Sequence, residues 1–120
     1  MLVHNKYLEE LGVTKDTYPL GKSCNHETEL NKDMGVVVCQ TWNLDRTLAL
    51  ELYTYIKAFK DIALGYPACF EEQEEWYKVL DEIAEGFADY IKQKDEFSPN
   101  LNKLNHSLNL LKKWWGALWW

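Results

Sequence analysis

The chain has 120 residues, 47% of them hydrophobic, with 13 Lys and Arg against 19 Asp and Glu for a formal charge of −6. The length suits one domain, and the hydrophobic share supports a packed core and excludes wholesale disorder. The acidic balance excludes a generally basic nucleic-acid binder, because neutralising phosphates takes clustered Lys and Arg.

The opening residues, MLVHNKYLEELGV, carry charges throughout and lack the apolar run of a signal peptide. No stretch of eighteen uninterrupted apolar residues occurs, so no membrane-spanning helix is expected. His4 to Leu11 reads as a short helix ending at Gly12, and Thr17-Tyr-Pro-Leu-Gly21 as turn or extended chain. Gly35-Val-Val-Val-Cys39 has strand composition but no obvious partner strand. Residues 1–40 are therefore expected to form an irregular arm lying across the rest.

Three helices follow. Leu48, Leu52, Ile56, Phe59 and Ala63 mark one face of a helix over 44–64, with Asn43 as N-cap and Gly65 and Pro67 as the stop. Trp76, Leu80, Ile83, Phe87 and Ile91 mark the second, from about Glu71 to Lys94. Its glutamates at the start and lysines at the end suit the helix dipole. Gly86 inside it costs about 1 kcal/mol relative to Ala, which implies close approach of a neighbouring helix. After Pro99, Leu101, Leu104, Leu108, Leu111, Trp115 and Leu118 alternate at three and four, as in a helix of a bundle. The expected fold is all-α: one domain, with a small antiparallel three-helix bundle over 41–120 and an irregular N-terminal arm.

Charge is uneven along these helices. Residues 71–96 hold ten acids and three lysines, a local −7, whereas 97–120 hold three lysines and no acid, a local +3. The acidic segment reads as a solvated helix exterior, with docking of a basic protein as its functional alternative. Four of the six tryptophans stand in the last seven residues. Trp114 and Trp115 are expected to straddle the Leu104/Leu108/Leu111 stripe as core, with Trp119 closing the bundle end. A membrane-surface or groove-binding helix is the alternative.

The segments Thr41-Trp-Asn-Leu-Asp45, Ile56-Lys-Ala-Phe-Lys60, Gly65-Tyr-Pro67, Trp76-Tyr-Lys-Val-Leu-Asp81 and the closing Leu110-Leu-Lys-Lys-Trp-Trp-Gly-Ala-Leu-Trp119 stand in a characteristic order. In these pieces the chain resembles a family of uncharacterised tailed-bacteriophage proteins over residues 41–120. The resemblance implies a phage origin and a helical fold, but no reaction; with three scattered cysteines and no signal peptide, the expected setting is the host cytoplasm. The chain departs from the pattern at Thr54-Tyr55, where the family has Pro-Arg, and at Trp120, where it has an acid.

Chemistry-bearing patterns are sparse. No phosphate-binding loop, HExxH, GxSxG or EF-hand pattern occurs, and no Glu-x-x-His pair that would build a di-metal bundle site. Asp45, Asp81 and Glu85 read as solvated, capping or ion-paired. Cys24, His26 and Cys39 could serve as metal ligands or as a thiol with its base, but they lack paired C-x₂₋₄-C spacing and read first as free cysteines and a surface histidine. No cofactor is expected. The chain reads as a non-enzymatic inhibitor or adaptor that binds a host or phage protein through Trp42, Tyr66, Tyr77 and Trp120, since interfaces favour such aromatics. A metal-binding or catalytic protein and a self-associating structural protein are the alternatives.

Overall fold

A computed structural model describes residues 3–14, 30–37, 41, 43–93 and 98–119. Helix α1 spans Lys6–Leu11. The Asn5 side chain caps it by accepting from the backbone N–H groups of Tyr7 and Leu8, both at 3.1 Å, and Gly12 ends it in the left-handed region at φ 93°. This is the short helix expected from the sequence. It is more than a tether, because Leu8 is fully buried and Val13 joins the same core.

The expectation of an unpartnered strand is corrected: β1 (Leu30–Asn31) pairs antiparallel with β2 (Val36–Val37), Leu30 opposite Val37 and Asn31 opposite Val36. Gly35 sits at φ 75°, a conformation that closes the four-residue turn at little steric cost. With two residues per strand, this ladder leaves the fold an all-α bundle with an N-terminal arm.

Helix α2 runs Leu44–Ile62, two residues shorter than expected, and the backbone of Ala63 turns extended at its end. Asn43 accepts the Thr47 N–H through its carbonyl at 3.0 Å, but its side chain makes no cap. The buried face is rotated from the expected one. Ala49, Leu50, Tyr53 and Ile56 face the core, while Leu48 is exposed. Helix α3 spans Gln73–Lys92 behind a capping box, in which the Glu72 side chain accepts from the Glu75 backbone and Glu75 from that of Glu72. Its stripe of Trp76, Leu80, Ile83 and Phe87 is buried as expected.

Helix α4 spans Asn102–Trp114 and tightens into a 3₁₀ turn over Trp115–Ala117. Gln93 spans the gap to it, donating to the Asn100 carbonyl at 2.7 Å and accepting the Asn100 N–H at 2.8 Å. α2 and α4 each pack along α3, which is the shared wall of the bundle. The contacts run antiparallel: Arg46 near the start of α2 meets Tyr90 near the end of α3, and Trp76 near the start of α3 meets Trp114 at the end of α4.

Close approach at Gly86 is borne out. A Cβ there would lie 1.8 Å from Ser107 Oγ and 2.5 Å from the Lys103 carbonyl oxygen. Ser107 is fully buried and donates to the Glu82 carbonyl at 3.1 Å. This contact turns Leu104, Ser107, Leu111 and Trp114 inward. It corrects the expectation for Trp115, which is 66% exposed, and for Trp119, at 76%. Trp114 instead closes a cluster with Phe70 and Trp76, at ring separations of 5.1 and 5.6 Å, and Phe59 meets Trp76 edge-on at 6.5 Å.

Arg46 is buried, and its Nη1 donates to the carbonyls of Tyr90 and Ile91 at 2.6 and 3.2 Å. These are among the last carbonyls of α3, where a cation offsets the negative end of the helix dipole. Its guanidinium also lies 4.8 Å from the centre of the Tyr90 ring, and the Tyr90 hydroxyl donates to Asp45.

Replacing Gly86→Ala should destabilise the protein by about 2–4 kcal/mol in urea unfolding, although the same change in an open helix gains about 1 kcal/mol. Ser107→Gly should recover only part of the loss, because the Lys103 carbonyl is backbone. A stabilised Gly86→Ala protein would contradict the packing. A second expectation concerns α1. Tyr7 donates to Asp61 at 2.6 Å, and that bond, with partial burial and the charges of Asp61 and Glu10, raises its pKa from 10.0 to about 12. The fold favours the protonated phenol, so the contribution is full below about pH 10 and lost as pH rises through about 12. NMR of the Leu8 methyl groups should show α1 loosening across that window, with no such step in Tyr7→Phe.

Candidate partner-binding surface

The expected contact residues separate in space. Trp42 and Trp120 lie outside the described residues, as do Cys24, His26 and Cys39. Tyr66 stands in the connection between α2 and α3, 43% exposed, and its hydroxyl donates to the Glu71 carbonyl at 3.2 Å. It borders a cleft of about 210 Å³ with Gly65, Pro67, Trp76, Ala117 and Trp119. Tyr77 does not line that cleft. It is half-buried on α3, with Lys60 Nζ 5.4 Å from its ring centre, and works in the α2–α3 packing.

Rotation of α4 creates the larger surface. Leu101, Leu108 and Trp115 recur every seven residues and lie along one edge of that helix, all exposed, while Leu111 beside them is buried. Leu108, Leu111, Lys112 and Trp115 line an open groove of about 460 Å³. Lys103, Lys112 and Lys113 are exposed on the same helix, and residues 98–119 contain no acid. Of these lysines Lys112 borders the apolar, aromatic edge, whereas Lys103 lines the groove against α3. Leucine spacing alone placed Trp115 in the core. The sequence signal for the true rotation is Ser107, a small residue able to face Gly86.

The groove between α3 and α4, about 530 Å³, is lined by Glu82, Glu85, Gly86, Asn102, Lys103 and His106. His106 Nε2 lies 3.2 Å from Glu82 Oε2, and both side chains are exposed. A Ser, a His and a Glu therefore gather here. However, the Ser107 hydroxyl is buried against the Glu82 carbonyl, whereas His106 engages the Glu82 carboxylate, so the imidazole does not activate the hydroxyl.

Other carboxylates are engaged in packing. Lys60 Nζ lies 3.0 Å from each Asp81 oxygen and Lys57 Nζ 3.8 Å from one, while Asp45 accepts from Tyr90. Among the described residues no group of three or more His, Cys, Asp or Glu could hold a metal, and Cys69 is a free, exposed cysteine. No helix among them is long and apolar enough to cross a membrane. No protein-family model, curated protein or solved structure matches this chain.

Proposed function

We propose that the chain is a small phage-encoded protein-binding factor without catalytic activity, an inhibitor or adaptor working in the cytoplasm of the infected host. The resemblance over residues 41–120 supports the phage origin. The observation that carries the binding role is the α4 edge, where Leu108 and Trp115, 42% and 66% exposed, line one open groove with Leu111 and Lys112. Interfaces concentrate their energy in such aromatic anchors. With Lys112 lining the same groove, the surface favours an amphipathic partner segment that sets an acidic residue beside an apolar stripe. Trp119, 76% exposed, offers a second aromatic contact, at the Tyr66 cleft beside the α2–α3 connection.

Immobilised full-length chain should retain a host or phage protein at physiological salt. The paired change Trp115→Ala and Trp119→Ala should lower that retention at least about tenfold while leaving the helical circular dichroism intact. Unchanged retention by the paired variant would remove the α4 edge from the reading, and failure to retain any protein would end it.

A further inference from the structure

Three tyrosines of this fold share one arrangement, a cation over the ring with a carboxylate beside it. Lys6 Nζ lies 5.0 Å from the Tyr7 ring centre, and Asp61 accepts the Tyr7 hydroxyl. Lys60 Nζ lies 5.4 Å from the Tyr77 ring centre and 3.0 Å from Asp81. The Arg46 guanidinium lies 4.8 Å from the Tyr90 ring centre, and the Tyr90 hydroxyl donates to Asp45. In each trio the ring quadrupole and the carboxylate attract the same cation.

Tyr66 has the ring and the carboxylates without the cation. It borders the cleft of about 210 Å³ together with Trp119, and the two side chains are 43% and 76% exposed. Hydrogen bonds fasten the start of α3 to this cleft. The Tyr66 hydroxyl donates to the Glu71 carbonyl at 3.2 Å, and Gln73 Nε2 donates to the Gly65 carbonyl at 3.2 Å. The Glu75 carboxylate accepts the Glu71 N–H at 2.7 Å, so Glu75 and Tyr66 meet the same residue. Glu71, Glu72, Glu74 and Glu75 are all exposed here. Among the described residues no Lys or Arg stands within ion-pair distance of any of them, and none lies over the Tyr66 or Trp119 ring. Lys113, on the neighbouring aromatic cluster, lies over Trp114 at 5.2 Å.

We propose that the cleft receives an arginine side chain of the bound partner, with its guanidinium between Tyr66 and Trp119 and facing the glutamates that open α3. A guanidinium is planar and stacks on flat rings, and its weak hydration makes entry into an apolar cleft less costly than for an ammonium. The arginine comes from the bound protein, so this step rests on the partner-binding reading above. It adds a charge preference opposite to that of the α4 groove, where Lys112 favours an acid. Two sites of opposite preference fix the direction in which a partner lies.

Nα-acetyl-arginine amide serves as the probe, and the matching citrulline compound, close to it in shape but uncharged, as the control. In NMR of the full-length chain at constant ionic strength, the arginine compound should shift the Trp119 indole N–H and the Gly65 amide with dissociation on the order of 10 mM. The citrulline compound should bind at least about tenfold more weakly. Tyr66→Ala and Trp119→Ala should each weaken the arginine compound about fivefold or more with unchanged circular dichroism. Glu71→Gln with Glu74→Gln should weaken it about threefold, and added salt should narrow that difference. Equal binding of the two compounds, no saturable shift, or shifts that survive both ring variants would each overturn the proposal. A chain that binds the arginine compound and retains no protein keeps the cleft's preference and loses the partner reading. One that retains a protein through Trp115 but ignores the arginine compound loses the cleft alone.

Discussion

The contact of Gly86 with Ser107 decides how this fold is read. Two helices approach most closely where neither projects a side chain beyond a hydroxyl, and here the Lys103 carbonyl and Ser107 occupy the space a Cβ on Gly86 would need. That approach fixes the rotation of α4 about its own axis. With Ser107 pressed to α3, Leu104, Leu111 and Trp114 turn inward with it, and Leu101, Leu108 and Trp115 must turn out. The aromatic cluster around Trp76 and the open edge of α4 are thus two results of one packing constraint. A bulkier pair at this point would alter the interior and the surface together.

The core has to be shared widely, because a chain of this size buries only about two-thirds of the surface it exposes when unfolded. α3 supplies the largest single share of the buried apolar residues, from Trp76 to Tyr90, and serves both flanking helices. The arm contributes too, since Leu8 and Val13 belong to the same cluster as Leu50, Ile83 and Phe87. α1, with only six residues, would not persist alone. It holds because Asn5 caps it and Tyr7 and Lys6 tie it to Asp61 on α2.

Much of this architecture is legible in the sequence because α3 obeys local rules. Its apolar stripe, its acidic start and its interior glycine all agree with what the tertiary structure uses. The flanking helices are harder to read. On α2 two apolar faces compete, and the leucine pattern marks Leu48, which the fold leaves outside. On α4 leucine spacing suggests Trp115 as core, although the decisive residue is polar. A serine that spends its hydroxyl on the Glu82 carbonyl is invisible to a hydrophobic pattern. The candidate surface was less legible still: of the expected contacts, Tyr66 borders the aromatic cleft, while Tyr77 lies in packing with Lys60. Surface character follows from helix rotation, and rotation comes from contacts between residues far apart in the chain.

Arg46 gives the bundle a property that hydrophobic packing alone would not. It stands in the first turn of α2 and closes the last carbonyls of α3, while neighbouring Asp45 receives the Tyr90 hydroxyl. Helix ends ordinarily fray independently, each exchanging its backbone protons on its own timescale. Here the beginning of one helix and the finish of the next share their hydrogen bonds, so neither end opens without releasing the other. The two termini behave as a latch, and the first local opening of the bundle there must be a joint event of α2 and α3.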